Sequence, residues 1–590
     1  MNRKMRRANK IGIKRQPLNQ SNSTVDPNFF SAFLEQGLIL LSRGNEEEAM
    51  KIAIRAVRLR ETQESKTFFV DCVKRWTYFP GANEIRDLIA LALGEPWGTP
   101  GELMGIVKGI FERDPAIGPA MQRATTAWPR RLSMSELLGS EGLTKITIDP
   151  LLLAVLRSSK VIDVGLERFL TSLRACLLEG AMQDQDHRDQ VIVRFCCALA
   201  RQCYINEYVF DLTPDENDCV HKLRDRITEA LYADAEISPI AIAVLAAYAS
   251  LDCLPEKALL KRAWPKYVLD LLQDQIKTPA AEKNQRPFIQ QITPIADDTS
   301  IKVRNQYEKN PYPRWVNMPP ARPVLIDEVI PQYFPFSHYR KIGKSADLDV
   351  LIAGCGTGHH SIKFAQNFPD ARILAVDLSM SSLCYAKEKT RIMGFDNIQY
   401  AQADILELGS IDRRFDIISS SGVLHHLADP ENGWRTLLSL LRPDGCMNVG
   451  LYSARARRNL VNAQRWLVDR GFTPSVEDIR RARQELVAAA DTDASLDDVR
   501  KFGDFYSTSE CRDLLFHAQE HCFTIPAIKE FLDKNNLEFL GFIIGGEILD
   551  QFRRQFSRQE ESNLHLWNSF ETEHPDTFRT MYEFWVQKKH

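Results

Sequence analysis

Three glycines and two aspartates in the second half of the chain stand where short apolar runs end. They are Gly354, Gly356, Gly358, Asp377 and Asp404. Glycine allows the backbone to turn sharply at the end of a strand and to approach a ligand that any Cβ would obstruct. A carboxylate such as Asp377 accepts hydrogen bonds from two ribose hydroxyls, and one such as Asp404 accepts a hydrogen bond from an adenine amine. A glycine-rich first loop is by itself a weak signal, since dinucleotide enzymes share it, so these residues are candidates for binding a ligand with a ribose and a base.

A second pattern whose residue types could bind a metal or a substrate is "HAQEH" at residues 517–521. Two histidines four residues apart share one face of a helix, and with a glutamate beside them they match the zinc-binding pattern of the inverted zincins. A zinc hydrolase also needs a third ligand and a protease fold, so we assign no metal ligand and treat this function as the less favoured alternative. The preferred interpretation is contact with the substrate, and the remaining alternative is packing within a buried helix. The residues concerned are His517, Glu520, His521 and Tyr506.

The composition limits the class of protein. With 590 residues the chain exceeds the size of one hydrophobic core, and two to four domains are expected. The formal net charge of −3 gives no general attraction for nucleic acid, so no nucleic-acid partner is predicted. Residues 1–15 carry seven basic side chains and no acidic one, and we predict that residues 1–27 form a disordered basic tail.

Neither a membrane span nor a cysteine-based site is predicted. The longest uncharged apolar stretch, residues 237–251, has 15 residues, whereas a membrane-spanning helix needs about 20. The twelve cysteines are scattered and form no C-x-x-C motif, which argues against a disulfide framework and against a cysteine zinc site. The expected location is the reducing cytoplasm.

Residues 28–281 show the apolar period of helices and little of the alternation that strands produce. The stretch 33–59 resembles a tetratricopeptide repeat, in which two helices pack closely around small residues. The residues that carry this resemblance are Phe33, Gly37, Leu40, Gly44, Ala49, Ala53 and Ala56. We predict an all-α, repeat-like domain that serves either as packing support for the second half or as a surface for a partner protein.

The hydrophobic periodicity changes after a polar, proline-rich segment at residues 282–325. This segment is predicted to be a linker and a cap over the ligand. From residue 326 to residue 590, short apolar runs alternate with helical segments. This alternation predicts a parallel sheet with helices on both faces. Because ligands of such sheets bind at the carboxyl ends of the strands, the function is expected in this half.

The run from Asp349 to Tyr452 resembles the class I S-adenosylmethionine-dependent methyltransferases strand by strand. A dinucleotide fingerprint is disfavoured because it requires glycine at position 359 or 361, and these residues are His359 and Ser361. The resemblance implies a Rossmann-like sheet of seven strands, S-adenosylmethionine as cofactor, and a helical lid inserted at residues 455–528. It assigns the cofactor's methionine part to Gly354, Gly356 and Gly358, its ribose and adenine to Asp377 and Leu378, and its adenine also to Asp404 and Ile405.

The same resemblance directs attention to the segment "QYEKNPYPRW" (306–315). An aromatic, proline-stiffened segment before the sheet commonly folds over the cofactor in this family. We expect Tyr307 and Tyr312 to close the site and Arg314 to face the methionine carboxylate. Ile352 departs from the family pattern, because an acid that holds the cofactor's ammonium group usually stands there.

Substrate-facing residues are expected after the fourth predicted strand, which ends at Ser421, itself assigned to the cofactor. His425 and His426 follow, and adjacent residues of a helix point about 100° apart, so at most one of them should line the pocket. We expect this to be His425, which would also be the catalytic base if the reaction needs one. Asp513 in the predicted lid is a further polar candidate.

The predicted function is transfer of a methyl group from S-adenosylmethionine to a methyl acceptor that the sequence does not identify. The acceptor is either a small molecule under the lid or a protein or peptide recruited by the helical half. The complete layout resembles bacterial methyltransferases linked to tetratricopeptide-like regions. The alternative is a non-catalytic helical scaffold whose degenerate domain senses the cofactor, an interpretation that rests on Ile352.

Overall fold

The computed structural model describes residues 27–139, 142–183, 189–344 and 346–589. The predicted basic tail lies outside these residues, apart from Pro27. The chain forms two compact units. The first contains the described residues up to Ile276 with 315–320 and 506–508, and the second contains 277–314, 321–505 and the residues from 509 onward. Within the described ranges, no helix has both the length and the apolar character needed to cross a membrane.

The first unit is built from packed helices, as its periodicity predicts. Its α-helices are α1 (Pro27–Ser42), α2 (Glu46–Leu59), α3 (Gln63–Val73), α4 (Ala82–Gly94), α5 (Met104–Arg113), α6 (Ile117–Ala127), α7 (Met134–Leu138), α8 (Gly142–Thr147), α9 (Pro150–Ser158), α10 (Val164–Met182), α11 (Gln190–Ile205), α12 (Pro214–Tyr232), α13 (Pro239–Ala246), α14 (Glu256–Lys261) and α15 (Lys266–Leu272). Neighbouring helices pack in pairs, among them α1 with α2, α4 with α9 and α10 with α6.

The helices α1 and α2 form a hairpin whose turn contains Gly44 at a φ of +76°. Ala49 and Ala53 of α2 are fully buried. A Cβ at Gly37 would lie 2.5 Å from the side chain of Phe68 in α3, a distance at which the neighbour has to move. The small residues of this stretch are therefore required by the close packing of three successive helices.

Two glycines of α5 provide a matched test of packing in this unit. A Cβ at Gly109 would meet the carbonyl oxygen of Thr77 at 1.9 Å, whereas a Cβ at Gly105 would meet that of Trp76 at 3.8 Å. Alanine usually stabilises a helix relative to glycine by about 0.5–1 kcal/mol. We expect Gly105→Ala to raise the urea midpoint of unfolding slightly, and Gly109→Ala to lower the free energy of unfolding by roughly 1–3 kcal/mol. A higher midpoint for both variants would contradict the close approach of α5 to Thr77.

The second unit contains a mixed sheet of eight strands, and the predicted fold class is confirmed. The strands are β1 (Gln290–Gln291), β2 (Asp349–Ala353), β3 (Arg372–Asp377), β4 (Ile398–Gln402), β5 (Phe415–Ser421), β6 (Leu441–Leu451), β7 (Leu537–Phe542) and β8 (Tyr582–Lys588). Their order across the sheet is β1-β4-β3-β2-β5-β6-β8-β7. The pairs from β1 to β6 are parallel, and β8 runs antiparallel to both of its neighbours.

Residues 282–325 are predicted from the sequence to be a linker and a cap, but two of them form a strand of the sheet, β1. It pairs in parallel with Ala401 and Gln402 of β4, and the N–H of Ile292 donates to the carbonyl oxygen of Gln402 at 2.9 Å. Two consecutive glutamines show no alternation of apolar and polar residues. Such a strand exists because β4 offers unpaired backbone groups at the sheet edge.

Helices surround the sheet of the second unit. They are α16 (Thr278–Lys283), α17 (Asp298–Lys309), α18 (Ile326–Tyr333), α19 (His359–Asn367), α20 (Met380–Met393), α21 (Pro430–Leu440), α22 (Arg458–Asp469), α23 (Val476–Ala489), α24 (Ala494–Asp497), α25 (Thr508–Phe516), α26 (Ile525–Lys534), α27 (Gly546–Gln555) and α28 (Leu564–Glu573). Side-chain caps begin the helices that follow the strands: Ser379 accepts a hydrogen bond from Ser382 N–H at α20, and Asp429 accepts one from Asn432 N–H at α21. The helices α22 to α26 lie between β6 and β7.

The central strand β2 is buried on both faces. Leu351 and Ala353 join one apolar cluster, while Val350 and Ile352 join the cluster on the opposite face. Successive side chains of a strand point to opposite faces, so a strand covered on both sides reads as a continuous apolar run. Ile352, at the position where the family usually has an acid, is therefore a core residue with 2% of its surface exposed.

Candidate functional site

The loop between β2 and α19 carries the three glycines, and all of them have positive φ. Little space is available around them. A Cβ at Gly354 would lie 2.3 Å from Val423, and one at Gly356 would lie 2.8 Å from the carbonyl oxygen of Tyr312. At Gly358 a Cβ would lie 2.6 Å from that of Ala386 in α20. The loop thus turns closely against three neighbouring parts of its own unit, which only glycine permits.

The carboxylate of Asp377 at the end of β3 is held by backbone donors. Its Oδ2 accepts a hydrogen bond from Gly356 N–H at 2.8 Å, and its Oδ1 accepts one from Ser379 N–H at 2.9 Å. Burial raises the pKa of Asp377, while these N–H groups act in the opposite direction. Each carboxylate oxygen has a second lone pair, so the fixed carboxylate retains the capacity to accept two hydroxyl hydrogen bonds from a ligand.

The glycine loop and the strand ends surround a cavity of about 450 Å³, a volume typical of cofactor sites. The predicted site residues that line it are Gly354, Gly356, Asp377, Leu378, Ile405, Ser421, Tyr312 and His426. Lining residues that the sequence did not single out for the site include Ser300, His359, His360, Tyr452 and Met581. Apolar side chains beside a carboxylate suit an adenosine, whose flat base is apolar on its faces and whose ribose carries hydroxyls.

Three predicted cofactor residues are absent from the cavity wall: Gly358, Asp404 and Arg314. Asp404 does not line the cavity; its Oδ1 accepts a hydrogen bond from Leu406 N–H at 3.0 Å and caps the turn that follows β4. Its contact with an adenine amine stays a prediction. Arg314 does not line the cavity either, and its guanidinium lies over the ring of Tyr385 at 5.8 Å. Its contact with the methionine carboxylate also stays a prediction.

The capping segment, residues 306–314, is tied to the glycine loop. The hydroxyl of Thr357 donates a hydrogen bond to the carbonyl oxygen of Pro313. The rings of Tyr307 and Tyr312 stack with centroids 6.1 Å apart, and both line the cavity. The segment therefore contributes aromatic side chains to the wall that the glycine loop begins.

Residues 344–489 match a family model described as a methyltransferase domain. Trans-aconitate 2-methyltransferase of Deinococcus radiodurans is 32% identical to this chain over 128 residues, which cover 20% of this chain and 46% of that protein. The second unit contains a class I S-adenosylmethionine-dependent methyltransferase domain. The cavity beside its glycine loop offers the carboxylate of Asp377 as an acceptor, and its volume lies within the range of cofactor sites.

Other similarities cover larger parts of the chain. An uncharacterized protein of Synechococcus sp. is 28% identical over 221 residues, covering 36% of this chain and 52% of that protein. The structure of PKMT2 from Rickettsia typhi in complex with AdoHcy has 18% sequence identity and a TM-score of 0.36, covering 45% of this chain and 53% of that chain. This chain spans about half or less of the length of the curated relatives it matches.

The methyltransferase domain places the two adjacent histidines differently from the prediction. His426 lines the cavity, whereas His425 lies behind it, fully buried, with its ring stacked on Tyr452 at 3.8 Å. Burial lowers the pKa of both imidazoles well below their usual range. His426 is therefore the histidine that can contact a bound molecule, and the expectation for His425 is corrected.

The "HAQEH" stretch is not helical, which corrects the expectation that its histidines share a helix face. Helix α25 ends at Phe516, so His517 and His521 follow it in an irregular loop. Glu520 forms two hydrogen bonds with the guanidinium of Arg457, at 3.0 and 2.9 Å, and orients neither histidine. His521 bonds its neighbour Gln519 at 2.9 Å.

His517 takes part in a hydrogen-bond chain that ends at a carboxylate. Its Nδ1 accepts a hydrogen bond from Gln519 N–H at 3.1 Å, so the ring hydrogen of the neutral imidazole is on Nε2. That N–H donates to the Tyr307 hydroxyl at 3.0 Å, and the Tyr307 hydroxyl donates to Asp513 Oδ1 at 2.5 Å. Burial raises the pKa of Asp513 to about 7. Tyr506 is buried and belongs to the first unit.

His426, Asp513 and His517 lie close enough for a metal, with one ligand atom of each within 4.8 Å of the others. Their arrangement disfavours zinc. The rings of His426 and His517 stack at 3.8 Å with planes 25° apart, so their in-plane lone pairs do not converge, and Nε2 of His517 already carries a hydrogen. We expect metal analysis of the untagged protein to find no stoichiometric zinc, and a chelator to leave cofactor affinity unchanged.

Two single variants separate the metal and hydrogen-bond interpretations. His517→Ala interrupts the chain to Asp513 and should slow methyl transfer more than it weakens cofactor binding, whereas His521→Ala should have the smaller effect on transfer. One equivalent of tightly held zinc in the wild type, lost together with stability in His517→Ala, would show that the cluster is a metal site.

Proposed function

We propose that this protein transfers the methyl group of S-adenosylmethionine to a methyl acceptor bound against His426, Tyr452 and Asp513. The observation that carries this proposal is the composition of one cavity wall. The wall contains the glycine loop and Asp377, which suit the cofactor, and also polar side chains that the cofactor does not need for its adenosine. A site for two ligands in one cavity suits group transfer between them.

When bound, the cofactor supplies an electrophilic methyl group on a sulfonium. The residues of this chain hold and orient the reactants: Asp377 accepts hydrogen bonds from the ribose, Leu378 and Ile405 pack against the adenine, and Tyr312 closes the site. Positioning of this kind supplies much of the acceleration in a displacement reaction. Because Ile352 is a core residue, the cofactor's ammonium group is assigned to backbone carbonyls of the glycine loop.

We further propose that the helical first unit recruits a protein or peptide that carries the methyl-accepting group. The hairpin of α1 and α2, with Gly37 and Ala53 at its closely packed interface, supports a tetratricopeptide-like character for this part of the chain. Solenoids built from such hairpins present concave surfaces to partners. A cytoplasmic location in a bacterium belongs to the same proposal.

Methyl transfer from isotope-labelled S-adenosylmethionine to components of a cell lysate tests the activity. We expect label in the acceptor with the wild-type protein and none with Gly356→Arg, whose side chain would collide with Tyr312. Micromolar binding of S-adenosylhomocysteine without transfer in any lysate would instead support a non-catalytic scaffold. Deletion of residues 1–276 should reduce labelling if the helical unit recruits the acceptor, provided that circular dichroism shows the remaining unit to be folded.

A further inference from the structure

Two side chains of the cavity wall, His426 and Asp513, are arranged to accept hydrogen bonds. The carbonyl oxygen of Gln519 lies 2.9 Å from His426 Nδ1. Because a carbonyl cannot donate, Nδ1 carries the ring hydrogen, and in the neutral ring Nε2 bears a lone pair. Burial next to His425 and His517 lowers the pKa of His426, which keeps the ring neutral at ordinary pH.

The carboxylate of Asp513 is oriented by the hydrogen-bond chain described above. Tyr307 donates to Oδ1, and the donors before it, His517 and the backbone of Gln519, all point in the direction of Asp513. In the described residues, Oδ2 of Asp513 has no hydrogen-bond partner. The ionised carboxylate can only accept hydrogen bonds, so a ligand that meets it must be a donor.

No lysine or arginine of the described chain lines this cavity. Arg457 lies over the ring of Tyr452 at 3.6 Å, and its Nε and Nη2 both donate to the carboxylate of Glu520, which offsets its charge. A carboxylate ligand would therefore meet the Asp513 carboxylate and the His426 lone pair without a cation to offset the repulsion. The charges of the wall favour a positively charged ligand.

We propose that the methyl acceptor is a primary amine that binds as an ammonium ion between Asp513, His426 and the hydroxyl groups of Tyr312 and Tyr452. The inference rests on the proposed methyl transfer and names its substrate class. An ammonium group offers three N–H donors and a positive charge, whereas a hydroxyl offers one donor and a carboxylate offers none. Tyr312 and Tyr452 also line the cavity, and a phenol oxygen can accept one of the remaining N–H groups.

The reaction needs the amine in its neutral form. The ammonium proton passes to the Asp513 carboxylate, and the nitrogen lone pair then forms a C–N bond to the methyl carbon. The C–S bond breaks, and its electron pair stays on sulfur. The products are a methylated ammonium and a neutral thioether. In this scheme Asp513 is a catalytic residue, and Tyr307 and His517 are positioning residues.

Binding of simple probes to the full chain saturated with S-adenosylhomocysteine at pH 8 tests the substrate class. The probes are n-hexylamine, hexanol and hexanoate, which share one alkyl chain. The amine is charged at this pH, since an alkylammonium has a pKa of about 10. We expect hexylamine to bind at least about tenfold more tightly than the other two probes. Asp513→Asn should lower the affinity for hexylamine by about tenfold or more and leave the affinity for S-adenosylhomocysteine unchanged.

Two other outcomes overturn the inference. Hexanol or hexanoate binding as tightly as hexylamine would show that the cavity does not select a cation. An equal loss of S-adenosylhomocysteine affinity in Asp513→Asn would assign Asp513 to the cofactor's own ammonium group. If the chain does not bind S-adenosylhomocysteine at all, the proposed function fails, and hexylamine titration of the free protein still decides whether the site selects an ammonium ion.

The chemical stability of transferred label gives an independent result. Methyl groups on amines survive mild alkali, whereas methyl esters are hydrolysed and release methanol. We expect label from the lysate experiment to remain in alkali and to appear in methylated amines after acid hydrolysis. Release of the label as volatile methanol would show a carboxylate acceptor and overturn the inference, although it would leave the proposed methyl transfer intact.

Discussion

Asp513→Asn is expected to lower the rate of methyl transfer by about 10²–10⁴-fold, the usual range for the loss of a general base. The substitution preserves the shape of the side chain, and its amide oxygen can still accept the hydrogen bond from Tyr307. Cofactor affinity should be nearly unchanged, because the glycine loop and Asp377 lie on other elements. Single-turnover transfer together with S-adenosylhomocysteine titration measures both quantities.

The wild-type rate should rise with pH through about 7. Burial and the nearby Asp504 raise the pKa of Asp513, the Tyr307 hydrogen bond and Arg457 lower it, and the resulting pKa is about 7. Only the ionised carboxylate can take a proton, so transfer is slow below that pH and reaches a plateau above it. Of the other groups at this site, His426 and His517 have pKa values lowered by burial and stay neutral through this range.

The pH profile also tests the positioning residue. Tyr307→Phe removes a donor that stabilises the charged carboxylate, so the midpoint of the profile should move to higher pH. A purely structural role for Tyr307 would lower the rate without moving the midpoint. A wild-type profile that is flat between pH 6 and pH 8, or one that keeps its midpoint in Asp513→Asn, would exclude Asp513 as the base.

Asp377→Ala is expected to lower the affinity for S-adenosylmethionine and S-adenosylhomocysteine by about ten- to a hundredfold. This loss corresponds to roughly 1.5–3 kcal/mol, the range for hydrogen bonds to a charged group. The variant removes the predicted ribose contacts. It also releases the N–H groups of Gly356 and Ser379, which the carboxylate now holds, so the glycine loop loses an anchor. Calorimetric titration measures the change.

Asp370→Asn is the matched control for this variant, because Asp370 is an exposed aspartate in the loop before β3 and its loss should leave both affinities unchanged. Circular dichroism and the unfolding midpoint establish that Asp377→Ala is folded. Wild-type affinity in a folded Asp377→Ala protein would contradict the placement of the ribose. Binding of a nicotinamide dinucleotide with no heat from S-adenosylmethionine would contradict the choice of cofactor.

The sequence by itself determined the order of the strands along the chain and the position of the glycine loop. These features depend on neighbours in the sequence: a buried parallel strand is a continuous apolar run, and the glycines at 354 and 356 occupy a turn with positive φ that other residues adopt at a cost. The aspartate at the end of β3 was recognisable for the same reason, since its position follows from the strand that carries it.

Only the tertiary structure decided which polar side chains meet. Asp513 and Tyr307 are 206 positions apart in sequence, and His426 contacts His517 across 91 positions; no local pattern connects such pairs. The same holds for β1, which exists because β4 pairs with it, and for "HAQEH", whose helical spacing suggests a shared face although α25 ends at Phe516. The side chains that surround the methyl acceptor come from separate elements, and their hydrogen-bond directions are set only when those elements pack together.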